Sequence, residues 1–229
     1  MCGRYADFLT EQQLTDHFAI ATVADDARLL PPSWNVAPTQ SVRLVEASSK
    51  DSHGRTLRTA RWGLVPSWAK DPSVGARLIN ARSETVADKP SFKSAFAKRR
   101  CLIPASGYYE WRVEGGIKIP HFIADAGGAP LAFAGLYEWW RDPSGGENAP
   151  WMMSCAILTT AARERMRELH DRQPVMVDGP QFDTWLSADA SPSELFDAIE
   201  APTPELTWHA VSRDVGNVRN NHAALVEPA

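Results

Sequence analysis

The chain opens with Met1-Cys2-Gly3-Arg4, a start that can do chemistry. Removal of Met1, expected when the next side chain is as small as Cys, leaves Cys2 carrying both a free α-amine and a thiol. A vicinal aminothiol of this kind condenses with an aldehyde through its amine, and the thiol then closes a thiazolidine ring. The same thiol can instead attack a carbonyl, with the amine as its base. The plain alternative is a small residue near a frayed terminus. Further along, the stretches NARSE (80–84), ASGYYEW (105–111) and HDRQP (170–174) are more polar and reactive than their apolar surroundings need. They supply an amide, Asn80, a carboxylate, Glu110, and an imidazole, His170, with the guanidinium groups of Arg82 and Arg172. Such groups orient substrates, move protons and hold anions. Each also has an ordinary reading. Glu110 fits the solvated face of a strand, His170 a capping cation at a helix end, Asn80 a turn cap, and the arginines any nearby carboxylate.

The elements that must position these groups follow from hydrophobic periodicity and punctuation. Thr10 with Gln13 forms a capping pair that starts a short helix over 10–18. PPSWNVAPTQ (31–40) reads as an ordered loop carrying Trp34 and Asn35. Alternation over 41–47 and 56–65 predicts a hairpin, followed by a loop that sets Trp62 and Trp68 around Pro66, either as stacking platforms or as core residues. A short strand opens 78–100. A helix from Ser91 turns Phe92, Ala95 and Phe96 inward and closes on Lys98, Arg99 and Arg100. Gly115-Gly116 is a hairpin signal between two strands, and 131–142 and 151–162 are two further apolar strands. Residues 161–171 read as a helix with His170 near its end, and 173–178 as strand-like. A short helix beginning at Pro180 and a helix over 191–200, with Ser191 and Glu194 as a capping box, precede a last strand at 205–215. With no repeat or linker, the sequence predicts an α+β fold, one compact domain over 1–229 with a β-rich, barrel-like core and peripheral helices.

Composition excludes several classes. With 44% hydrophobic and 23% charged residues the chain is an ordinary globular protein, neither disordered nor collagenous. No apolar run approaches a membrane span and no signal-peptide pattern opens the chain, so a cytoplasmic address without membrane contact is expected. The cysteines Cys2, Cys101 and Cys155 form no ligand-spaced pair, and no H-E-x-x-H occurs, which argues against zinc, any other metal, and a disulfide framework. Cys101 and Cys155 lie in apolar runs and read as small buried residues. A formal charge of -4 argues against non-specific coating of nucleic acid and leaves room for a local basic groove.

In order along the chain, CGRY, NVAPTQ, RWGLVPSWAKD, INARSET, RRCLIPASGYYEW, ILTTAA, HDRQPVMV and VSRDVGNVRNN resemble the SRAP (SOS response-associated peptidase) family, from Cys2 to about Asn221. The resemblance implies the SRAP fold and a protein that senses and shields abasic sites in single-stranded DNA, without a cofactor, through a covalent thiazolidine link to Cys2. It implies Cys2, Asn80, Glu110 and His170 as catalytic residues. Arg4, Arg82 and Arg172 match phosphate-holding arginines, and Pro38, Trp68, Trp111 and Thr159 fall in blocks that line the DNA. Gln173 stands where many members have an apolar residue. The implied partner is abasic single-stranded DNA, at replication forks and the nucleoid, bound by a monomer, with abasic-site lyase activity and self-reversal of the link. Two other readings stay open: a peptidase with an N-terminal cysteine, using Cys2, His170 and Glu110 as nucleophile, base and orienter, and a non-catalytic binder of single-stranded nucleic acid.

Overall fold

The computed structural model describes residues 3–48, 54–146 and 148–229, so Cys2 lies outside the described residues. The first part of the chain forms β1 (Tyr5–Asp7), α1 (Glu11–Phe18), β2 (Ile20–Val23), α2 (Asp25–Leu29), β3 (Ser33–Val36), β4 (Ser41–Ala47) and β5 (Arg55–Trp62). It continues through β6 (Asn80–Arg82), α3 (Lys93–Lys98), β7 (Arg100–Ala105), β8 (Gly107–Glu114), β9 (Ile117–Asp125), β10 (Leu131–Arg141) and β11 (Trp151–Ala161). Strand β12 (Arg172–Pro174), α4 (Phe182–Leu186), α5 (Pro192–Glu200) and β13 (Leu206–Ala210) complete it.

Strands β11, β10, β7, β4 and β5 pair in that order, and a parallel pairing of β11 with β5 closes them into a barrel. Closure explains why these strands read as near-continuous apolar runs, since both faces are buried. Val42, Leu44, Ala60, Trp62, Cys101, Ile103, Phe133, Cys155 and Ile157 fill the interior. The alternate residues Val45, Leu57, Leu102, Ala134, Ala156 and Leu158 pack outward against α1, α3, α4 and α5. A second sheet, in the order β13, β9, β8, β1, β3, lies against the barrel. Tyr5 of β1 joins the two, because its ring meets Trp62 edge-on at 5.3 Å and Phe133 at 6.0 Å.

Several expectations hold. The capping boxes at Thr10 and Ser191, the inward face of Phe92, Ala95 and Phe96, the hairpins, and buried Cys101 and Cys155 are all present. Others are corrected. The Pro-rich segment expected to be all loop contains β3, an edge strand on β1, where prolines on either side interrupt no ladder. Residues 161–171 are not an α-helix: β11 runs on to Ala161 and pairs with β12 at Arg172, so the short return between them holds only a 3-10 segment, Glu164–Glu168. Of the two readings open for Trp62, the core residue is the one found, on a strand inside the barrel. Arg100 belongs to β7. From there its buried guanidinium donates to the carbonyls of Phe96, Trp185 and Ser187, satisfying the ends of α3 and α4. Strands β1 and β2 and helix α2 are short elements that periodicity does not signal.

The chain between β5 and β6 leaves and rejoins the same strand, with Gly63 N–H donating to Cys155 O at 2.8 Å and Ile157 N–H to Ile79 O at 3.0 Å. At its neck two glycines touch backbone to backbone. Gly63 has φ +129°, and a Cβ on Gly75 would fall 2.5 Å from the Gly63 carbonyl oxygen. Gly75→Ala is therefore expected to destabilise the fold by about 1–3 kcal/mol, since neither backbone can give way. Urea denaturation tests this: a lowered midpoint at constant slope is expected, and an unmoved midpoint would show that the neck opens freely.

Candidate functional site

Glu110 sits in β8 opposite His121 of β9, only 2% exposed, so the expectation of a solvated strand face is corrected. Its Oε2 lies 3.9 Å from His170 Nε2. Burial pushes the carboxyl up to about 7, and the nearby Asp171 carboxylate adds to the rise. The pair borders an open cavity of about 760 Å³ that Trp111, Arg112, Lys118 and Glu168 also line. Burial also draws the His170 imidazole below its ordinary value, with Asp171 opposing. His170 Nδ1 lies 3.0 Å from the Arg172 main-chain nitrogen and 2.8 Å from Asp171 Oδ1. An N–H only donates and a carboxylate only accepts, so these contacts belong to different ring states. The neutral ring accepts from Arg172 at a bare Nδ1 and carries its hydrogen on Nε2, toward Glu110. A ring with a hydrogen on Nδ1, the other neutral tautomer or the protonated form, donates it to Asp171.

Beside this pair, the far half of β11 gathers the remaining polar residues. On one edge β6 pairs with it in parallel, setting Asn80 against Ile157 and Arg82 against Thr159. β12 pairs with its other edge, setting Ala161 against Arg172. Arg172 reaches across to Thr159, donating to its carbonyl at 2.6 Å and its hydroxyl at 3.2 Å, and forms an ion pair with Glu84. Thr159 is buried, Asn80 half-buried and Arg82 exposed, with no ion pair to Arg82 among the described residues. Gln173, buried beside Arg172, braces the return with its carbonyl on Arg163 N–H at 2.8 Å.

A family model described as SOS response associated peptidase (SRAP) matches residues 1–218. The chain belongs to the SRAP family. The Bacillus subtilis abasic site processing protein YoqW is 35% identical over 230 residues, covering 99% of each chain. The Escherichia coli abasic site processing protein YedK is 32% identical over 238 residues, covering 100% of each. Among solved structures, a Bacteroides thetaiotaomicron protein superposes with a TM-score of 0.86 at 21% identity, covering 100% of both chains. A Bordetella bronchiseptica protein gives 0.77 at 27% identity, covering 92% of this chain and 100% of its own.

In this SRAP chain the register of β1 brings the start of the described backbone alongside β8, where Tyr109 N–H donates to the Arg4 carbonyl at 3.0 Å. The Arg4 guanidinium donates to Asn35 Oδ1 at 2.7 Å and the Val215 carbonyl at 2.6 Å. Asn35 in turn donates to the carbonyls of Val215, Asn217 and Asn220, tying the C-terminal segment to β3. Sequence reading noticed Asn35 without giving it this work, and left Glu84 and Asp171 unassigned although both sit inside the quoted blocks. Pro38 is half-buried between β3 and β4, and Trp68 is 64% exposed on the loop after β5. Neither lines the Glu110 cavity, whereas Trp111 does.

The raised Glu110 carboxyl has a stability signature. Its proton is held more tightly folded than unfolded, so its contribution is present at low pH and is lost as pH rises from the ordinary carboxylate range through about 7. Glu110→Gln removes that loss. The variant is expected to gain stability relative to the wild type between pH 5 and pH 8, read by urea denaturation at both; a difference that does not change with pH would place the Glu110 carboxyl in an unperturbed state.

Proposed function

We propose that this protein processes abasic sites in single-stranded DNA, bonding to the lesion through the α-amine and thiol of Cys2 once Met1 is removed. The observation that carries the reading is the buried Glu110 carboxyl facing His170 at an accessible cavity, beside the strand that leads from the chain start. Relatives spanning nearly the whole chain that bear the name abasic site processing protein support it.

The chemistry follows from the groups present. An abasic deoxyribose exchanges between a closed hemiacetal and an open aldehyde, and only the aldehyde condenses with an amine. An α-amine has a reference pKa of about 7.7–8.0 and a thiol about 8.5, so both need a base near neutrality. Glu110, with its carboxyl near 7, is matched to take the amine proton. The Nε2–H of His170 donates a hydrogen bond to the sugar oxygen as the ring opens and that oxygen takes up the proton the hemiacetal hydroxyl releases, while Asn80 orients the sugar or amine. Loss of water gives the imine; the Cys2 sulfur attacks the imine carbon, the nitrogen takes up a proton, and the thiazolidine closes. Slow closure leaves the imine to promote β-elimination, and reversal uses Glu110 again. Arg82, exposed beside Thr159, and the Arg4 guanidinium supply phosphate contacts, and Arg172 joins them only where a phosphate displaces Glu84. Exposed Trp68, with Trp111 and Pro38, offers surfaces for bases, worth about 1–3 kcal/mol per stacked base.

Incubation with single-stranded DNA bearing one abasic site, followed by a denaturing gel, tests the reaction. A shifted band that Cys2→Ala abolishes is expected, and intact mass should show loss of Met1. No band with the wild type would end this reading; retained binding alone would favour the simple nucleic-acid binder, and peptide cleavage the peptidase. The crosslinking rate should rise with pH through about 7 as Glu110 ionises. Glu110→Gln should slow it about 100-fold and flatten that rise, and unaltered kinetics would remove Glu110 from the reaction. Arg82→Ala should reduce the salt slope of binding by about 0.7, the value for one phosphate of a single strand; an unchanged slope would make Arg82 structural.

A further inference from the structure

Glu84 has no part in the chemistry proposed for the site, yet one residue ties it to His170. Both Arg172 Nη atoms bind its carboxylate, Nη1 at Oε1 and Nη2 at Oε2, the second at 3.1 Å. The same Nη2 donates to the Thr159 carbonyl at 2.6 Å, on the buried strand β11. The main-chain N–H of Arg172 is the donor to His170 Nδ1 at 3.0 Å. Arg172 is thus held at its head by a carboxylate and a fixed carbonyl while its backbone addresses the imidazole. The Glu84 side chain is 47% exposed and that of Arg172 13%. The hydrogen bond from Arg172 keeps the Glu84 carboxyl below the usual carboxylate range, so the clamp stays charged at neutral pH.

The clamp matters because Nδ1 of His170 has two suitors, the Arg172 N–H and the Asp171 carboxylate. Whichever it engages decides what Nε2 presents to Glu110. A backbone N–H whose position is loose cannot hold a ring in one tautomer; a backbone N–H fixed by a bidentate ion pair can. A DNA phosphate at Arg172 would have to displace Glu84 from the same Nη atoms, which sets the two roles of Arg172 against each other.

We infer that Glu84 is a positioning residue: by clamping Arg172 against Thr159 it holds the Arg172 N–H on His170 Nδ1, and so keeps the hydrogen of the neutral ring on Nε2, facing Glu110. The consequence for rate rests on the reaction proposed for the site; the consequence for the ring does not. Long-range nitrogen–proton NMR of the free protein, with the His170 signals identified by their absence from His170→Gln, reads the ring directly. Wild type should show one tautomer with Nδ1 as acceptor, Glu84→Ala a mixture, and Glu84→Gln, which keeps one acceptor, an intermediate pattern. In single-turnover crosslinking to abasic single-stranded DNA, Glu84→Ala should be slower by about tenfold. Its affinity for an oligonucleotide carrying an unreactive tetrahydrofuran residue should stay within about twofold or tighten, since a negative charge is removed.

An unchanged ring pattern in Glu84→Ala would overturn the inference. So would affinity falling in step with rate, which would mark the pair as a DNA contact. Should Glu84→Ala fail to fold, the ring pattern of Glu84→Gln decides alone. Should the wild type form no crosslink, the proposed reaction falls and the ring pattern still tests the clamp.

Discussion

Strand β11 is the constraint on which the rest of the structure depends. It pairs antiparallel with β10 along Trp151–Ile157, in parallel with β5 at Ser154 and Cys155, in parallel with β6 at Ile157–Thr159, and antiparallel with β12 at Thr159–Ala161. Its near half closes the barrel. Its far half takes two short strands that would have no reason to be extended on their own, since three-residue strands gain little without a fixed template. Those strands carry Asn80, Arg82 and Arg172. Barrel closure and the placement of the polar shelf are therefore one event, and residues 84 and 172, far apart in sequence, meet because the short strands beside them share β11 as partner.

Against that rigid frame the fold tolerates an expensive group. A carboxyl as buried as Glu110 loses most of its hydration, and its upward shift measures the cost of ionising it there. Stability alone would favour glutamine or an apolar residue at this position. A carboxyl held near neutrality beside an imidazole is, in contrast, well suited to exchanging protons, and groups with displaced pKa values at the mouth of a cavity are often functional. The surrounding barrel supplies the margin that lets such a residue persist.

How much of this was legible in the sequence depended on whether a feature was local. Capping boxes at Thr10 and Ser191, the Gly115-Gly116 turn and the apolar strands are written in neighbouring residues, and they were read correctly. A β-rich, barrel-like core was legible, but not which residues fill it, because nothing in Cys155 or Ile157 says which side of a closed sheet it faces. Residues 161–171 have helical spacing in Ala162, Met166 and Leu169, but the pairing of Ala161 with Arg172 leaves no room for a helix; a long-range constraint overrode a local pattern. Glu110 shows the same limit. Flanked by Tyr109 and Trp111 it reads as the wet side of a strand, and only the packing of the second sheet against the barrel, through Tyr5 and Tyr108, buries it. Glu84 and Asn35 were invisible as partners because their work is done with residues 88 and 180 to 185 positions away.

The chain start shows how the two sheets cooperate. A terminal segment is normally the loosest part of a protein, and ordering it costs about 1–2 kcal/mol per residue in backbone entropy. Here the segment is held almost from its first residues: Arg4 by Tyr109, Asn35 and Val215, Tyr5 by the aromatic contacts inside the barrel, and Ala6 by its pairing with Gly107. Gly107 itself admits no side chain, since a Cβ there would meet the Phe122 ring at 2.3 Å. So close an approach seats the Phe122 ring of β9 directly on the backbone of β8, next to the place where Ala6 pairs with Gly107. The entropy of ordering Arg4, Tyr5 and Ala6 is therefore met during folding, and their place beside β8, the strand that carries Glu110, is set by sheet register.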